Sequence, residues 1–76
     1  MITKTILLNT IVDVKDFVNT VARYDFDVDL VSGRYHIDAK SIMGIFSLDL
    51  TNPITLTAYA ESCSKLMEQI KAYIVD

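Results

Sequence analysis

Apolar and polar positions follow two rhythms along this chain, and the rhythm changes at recognisable punctuation. Residues 2–8, Ile-Thr-Lys-Thr-Ile-Leu-Leu, are rich in β-branched side chains and predict a strand. Val14, Phe17, Val18, Val21 and Ala22 then recur at helical spacing, which predicts a helix from about Ile11 to Tyr24 with one apolar face. Thr10 stands before it with Asp13 three residues on. That is a capping box with Asp in place of Glu, and Asp13 and Asp16 suit the positive start of a helix.

Asp25 to Asp38 predicts a hairpin. Phe26, Val28 and Leu30 alternate with Asp25, Asp27 and Asp29, giving one apolar and one acidic face. With Ser32-Gly33 as a two-residue turn, Leu30 falls opposite Tyr35 and Val28 opposite Ile37 on the buried face. On the wet face the same register sets Asp29 opposite His36 and Asp27 opposite Asp38. A short helix is predicted from Ser41 to about Leu48. After Pro53, Ile54, Leu56 and Ala58 alternate with Thr55, Thr57 and Tyr59 as a further strand. A last helix, from about Ser62 to Val75, carries Cys63, Leu66, Met67, Ile70, Tyr73 and Ile74 on its apolar face. The order is βαββαβα. Strands with one wet face belong to an antiparallel sheet covered by helices on the other side, an α+β fold.

At 76 residues the chain is one domain, 1–76, whose core has little redundancy. A hydrophobic content of 51% with one Pro and two Gly argues against disorder. No apolar run approaches the roughly 20 residues of a membrane span, so no membrane partner is expected. Met1-Ile2-Thr3-Lys4 begins no secretory signal, and the expected location is cytoplasmic. The net charge is −3 and the seven Lys and Arg are scattered, a pattern unlike the basic patch of a nucleic-acid binder. Cys63 is the sole cysteine, which rules out an intrachain disulfide and a multi-cysteine zinc site. Its place on an apolar stripe reads as packing.

The candidate chemistry is sparse. There is no nucleophile with a base, no phosphate-cradling glycine loop and no acid pair, so neither catalysis nor a cofactor is expected. His36 shares the acidic strand face with Asp27, Asp29 and Asp38. Such a set can hold a metal, but a solvated strand face has the same pattern, and no metal is expected. Ser41 reads as an N-cap, worth about 1 kcal/mol, and also as a phosphorylation site, where added charge would meet a helix start. On the helix after it, Ile45 and Leu48 point one way and Ile42, Met43 and Phe46 another. Whichever set faces outward forms an apolar docking patch. Gly44 costs that helix about 1 kcal/mol relative to Ala, which allows the close approach of a partner as its use.

The segment Asp38-Ala39-Lys40-Ser41-Ile42-Met43-Gly44-Ile45-Phe46-Ser47-Leu48 resembles the serine-site segment of HPr, the small phosphocarrier of bacterial sugar uptake. Element order and lengths resemble that family along the whole chain. The resemblance implies an HPr-like open-faced β-sandwich: a four-stranded antiparallel sheet covered on one face by helices. In Gram-positive relatives a dedicated kinase phosphorylates the serine matched by Ser41, and the phosphoserine protein serves a transcriptional regulator of carbon catabolite repression. The implied partners are therefore a kinase of that kind or such a regulator, and the implied contact residues are Ile42, Met43 and Phe46.

The family's phosphocarrier motif reads roughly Gly-Leu-His-Ala-Arg-Pro before a helix carrying Phe-Val. Aligned on Phe17-Val18, it falls on Leu8 to Asp13. Thr10 then replaces the histidine and Val12 the arginine, and the Gly and Pro are gone. A threonine hydroxyl without a base is a poor nucleophile, and its phosphate ester does not transfer on readily. In lacking the histidine and keeping the serine, the chain resembles Crh-type relatives, which serve in regulation. The expectation is an HPr-like regulatory or protein-interaction module. The alternatives are an unusual carrier phosphorylated at Thr10 or His36, and a binding paralogue with no phosphorylation.

Overall fold

The structure is a computed structural model and describes residues 1–75; Asp76 lies outside them. Strands β1 (Ile2–Ile6), β2 (Val28–Ser32), β3 (Tyr35–Asp38) and β4 (Ile54–Ala58) form one antiparallel sheet in the order β1-β4-β2-β3. Helices α1 (Ile11–Val21), α2 (Ile42–Phe46) and α3 (Ser64–Ile70) follow the expected order, and a 3₁₀ turn, Lys71–Tyr73, ends it. Helix α1 packs against α2 and α3, and α2 against β3.

Period-two alternation sorts the sheet residues. In β4, Ile54, Leu56 and Ala58 are buried while Thr55 is exposed. Ile6, Val28 and Leu30 join them from the other strands, and Val14, Phe17, Val21, Ile45, Leu66 and Ile70 come from the helices. Each such side chain contributes roughly 1.5–3 kcal/mol by leaving water. Among the described residues no polar or charged one is buried and no pocket forms.

The hairpin register differs from the one expected. Ser32 pairs with Tyr35, Val31 with His36, Leu30 with Ile37 and Asp29 with Asp38. The turn is therefore Gly33-Arg34, with Gly33 at φ +59. Glycine takes the first turn position because the left-handed backbone there is strained for any other residue. The register has slipped by two relative to the expectation, so every side chain keeps its face but changes its partner. Leu30 now meets Ile37, and Asp29 replaces Asp27 opposite Asp38. Tyr35, expected on the buried face, begins the edge strand β3 and is 62% exposed.

Element ends moved as well. Strand β1 stops at Ile6 instead of Leu8, and β2 starts only at Val28. Helix α1 ends at Val21 and not Tyr24, because Arg23 N–H and Tyr24 N–H turn to the Thr20 and Val21 carbonyls and tighten the last turn. Helix α2 is the five residues inside the expected Ser41–Leu48 span. The last helix is the largest correction: α3 begins after Cys63 and stops at Ile70. Beyond it the Tyr73 carbonyl accepts from Leu7 N–H at 2.8 Å, Ile74 bridges Ile6, and Val75 N–H donates to Thr5. Pairing along the edge of β1 replaces the final helical turn. On the same strand Lys4 lies opposite Leu56, in the core-facing row. A charge there discourages a second sheet from adding to the edge.

Cys63 is 5% exposed, and burial pushes its thiol above the usual range. A raised thiol pKa favours the folded state fully below the unfolded value, about 8.5, and the benefit is lost as pH rises through the folded value. Native protein is expected to react with an aromatic disulfide reagent at least about tenfold more slowly than the protein in denaturing urea. Equal rates would show that Cys63 is open to solvent.

Candidate functional site

The start of α1 is closed by its own residues. Thr10 has extended backbone, and its Oγ1 accepts from Asp13 N–H at 3.0 Å. The Asp13 Oδ2 accepts in return from Thr10 N–H at 3.3 Å and from Asn9 N–H at 3.1 Å. The capping box read from the sequence is present, with Asn9 as an additional donor. A helix start attracts anions through its free N–H groups and dipole. Here the Asp13 carboxylate holds two of the amides at this corner. It would repel a phosphoryl group, and its Oδ2 is already engaged by those two donors. Val12 beside it is 64% exposed and Ile11 63%, so the corner presents hydrocarbon.

The start of α2 is built from β3. Ser41 N–H donates to the Asp38 carbonyl at 3.0 Å, and Ser41 Oγ accepts from Gly44 N–H at 3.1 Å. Ser41 is exposed, and the N-cap and accessible hydroxyl coexist. Ile45 is buried below it, while Met43 is 77% and Phe46 41% exposed. Those two are neighbours at i, i+3 on the outer side of the helix. Ile42 is half-buried against the core, because it shares the inner face with Ile45 three residues on. Of the three patch residues, the structure leaves Met43 and Phe46 outward.

Gly44 has an inward use. A Cβ there would lie 3.3 Å from Ile37 Cδ1 and 3.2 Å from Ser41 Oγ. The missing side chain lets α2 close on β3. Gly44→Val is expected to lower stability by about 1–3 kcal/mol through overpacking. Met43→Ala, one residue away in solvent, should change it by less than about 0.5 kcal/mol. Urea midpoints measure both, and similar shifts would contradict the close contact.

His36 lies on the open face of the sheet, away from both helix starts. Its Nε2 is 2.8 Å from Asp29 Oδ2, a diagonal contact that survives the register change because both residues kept their face. The Asp29 carboxylate beside Tyr59 pushes the tyrosine pKa up, with burial and the charge of Asp27 adding to it. Among the described residues no three potential metal ligands converge. No described helix is long and apolar enough to cross a membrane.

Sequence reasoning missed the role of Lys40. Its Nζ donates to the Tyr24 carbonyl at 2.7 Å, just past the end of α1. Nothing in the local pattern signals that contact, because the partners are distant in sequence and meet only when the layers pack.

An antiparallel sheet with helices on one face defines an open-faced sandwich. A family profile described as the PTS HPr component phosphorylation site matches residues 14–76. The chain belongs to the HPr family of the phosphotransferase system. The matched span begins just after the Thr10–Asp13 segment. Among solved structures, the chain is similar to HPr-C-His from Thermoanaerobacter tengcongensis, at 23% identity and TM-score 0.79, covering 95% of this chain and 89% of that one. It is also similar to the phosphocarrier HPr of Bacillus anthracis str. Ames, at 24% identity and TM-score 0.69, covering 97% and 96%. Crh, a catabolite repression protein of Bacillus subtilis seen as an intertwined, domain-swapped dimer, is similar at 28% identity and TM-score 0.65, covering 96% and 88%. No curated protein sequence gives a significant match.

Proposed function

We propose that this chain is a member of the HPr family that does not carry phosphate on histidine, and that it acts as a regulatory or protein-interaction module. The carrying observation is the closed start of α1. Thr10, aligned with the family histidine, is spent as an N-cap, and Asp13 takes the Thr10 and Asn9 amides. Val12, aligned with the family arginine, offers no charge. The working surface in this reading is the start and outer side of α2: Ser41 as phosphoacceptor, with Met43 and Phe46 as the apolar contact and Ile42 at its margin. The partner is an HPr kinase-like enzyme or a transcriptional regulator. The likeness to Crh, a catabolite repression protein, supports the regulatory direction.

Intact-mass spectrometry after two parallel incubations tests the reading. One uses the Gram-positive HPr kinase with ATP, the other the first phosphotransfer enzyme with phosphoenolpyruvate. Phosphate on Ser41 in the kinase reaction alone is the expected result. Acid-labile phosphate in the second reaction would restore a carrier acting through His36, and acid-stable phosphate on Thr10 one acting through that residue. No phosphate in either would leave a binding paralogue.

A further inference from the structure

Lys40 stands immediately before Ser41, yet its side chain runs away from that helix. The half-buried ammonium donates to the Tyr24 carbonyl at 2.7 Å. Helix α1 has no basic residue in its own last turn, so Lys40 supplies from another element the positive charge that a helix end attracts. Tyr24 is also a junction. Its hydroxyl donates to Gln69 of α3 at 2.6 Å, and its ring packs 5.4 Å from Phe26, which leads into β2. One lysine thus ties the start of α2 to the end of α1, and through Tyr24 to α3.

We infer that Lys40 is a charge-sensitive tether: phosphate on Ser41 draws its ammonium off the Tyr24 carbonyl and loosens the last turn of α1. This rests on Ser41 being the modified residue. A phosphoserine brings a charge of about −2 and strong acceptor oxygens. Adjacent residues have Cα atoms about 3.8 Å apart, so the flexible lysine stem reaches either acceptor. The bond to the Tyr24 carbonyl is charged on the lysine side only, whereas phosphate adds the attraction of an opposite charge, which a neutral carbonyl does not supply. The signal then leaves the modified helix through the backbone of α1, with no rearrangement of the core.

The test uses the full chain made by chemical synthesis, with serine or phosphoserine at position 41, so that it does not depend on a kinase. Amide exchange is followed by NMR at Arg23 and Tyr24, whose N–H groups bond the Thr20 and Val21 carbonyls. Phosphoserine is expected to speed exchange at both by about tenfold, and to leave the amides of β4 unchanged. Lys40→Met without phosphate should speed them by the same factor, and phosphate should then add nothing. Unchanged exchange in the phosphoserine protein overturns the inference, as does a phosphate effect that persists undiminished in Lys40→Met. A kinase that spares Ser41 would instead remove the reading beneath it and leave this physical comparison intact.

Discussion

Phe17→Ala is expected to lower stability by about 3–5 kcal/mol, the largest loss of any single substitution considered. Phe17 is fully buried on α1 and meets Tyr73 edge to face, with ring centroids 6.2 Å apart. Truncation removes its own burial, opens a cavity between α1 and the sheet, and strips the partner from Tyr73. That second loss matters, because Tyr73 holds the C-terminal segment on the edge of β1 through its carbonyl. A 76-residue domain has a total stability of about 4–11 kcal/mol at typical per-residue values, so the loss takes from about a quarter to all of it. Urea titration followed by circular dichroism measures it. A loss under about 1 kcal/mol would mean that α1 does not anchor the core.

Ser41→Ala is expected to abolish all kinase-dependent phosphate and leave a folded protein. The change removes the hydroxyl that accepts from Gly44 N–H at 3.1 Å, which costs about 1 kcal/mol as a lost N-cap. For a domain of this size that lowers Tm by roughly 4–8 °C, so the variant remains native at room temperature. Thr10→Ala loses a similar cap at α1 and should retain full phosphate uptake, which makes it the matched control. Phosphate persisting on Ser41→Ala would move the acceptor elsewhere in the chain. Phosphate lost equally from both variants would point to fold damage as the cause.

Much of this architecture was legible in the one-dimensional pattern. The four strands, three helices and their order follow from periodicity, and the Thr10–Asp13 box follows from local spacing. These are short-range effects: a capping bond or an apolar stripe is decided by residues a turn apart. The end of the chain was less legible. Cys63, Leu66, Met67, Ile70, Tyr73 and Ile74 keep helical spacing, yet the helix stops at Ile70. Propensity is worth only tenths of a kcal/mol per residue there, and the competing backbone bonds to β1 outweigh it. The candidate site divided in the same way. The cap at Ser41 followed from local spacing and the two faces of α2 from helical phase, but the outward position of Met43 and Phe46 did not. The half-burial of Ile42 and the tether at Lys40 needed the packed layers.

The hairpin separates the two kinds of information most cleanly. Alternation along the chain by itself determined which side chains face the core, because a slip of one residue would turn every apolar group into water. A slip of two costs no burial, so the pattern is blind to it. Only the folded turn, with Gly33 at φ +59, decided that Leu30 meets Ile37 and that Asp29 lies opposite Asp38. The same holds for function. The sequence by itself set the expectation that Thr10 and Val12 align with the family's histidine and arginine. Tertiary structure alone decided where the Lys40 charge goes, because Tyr24 and Lys40 are brought together by the packing of α1 and α2 and by nothing local.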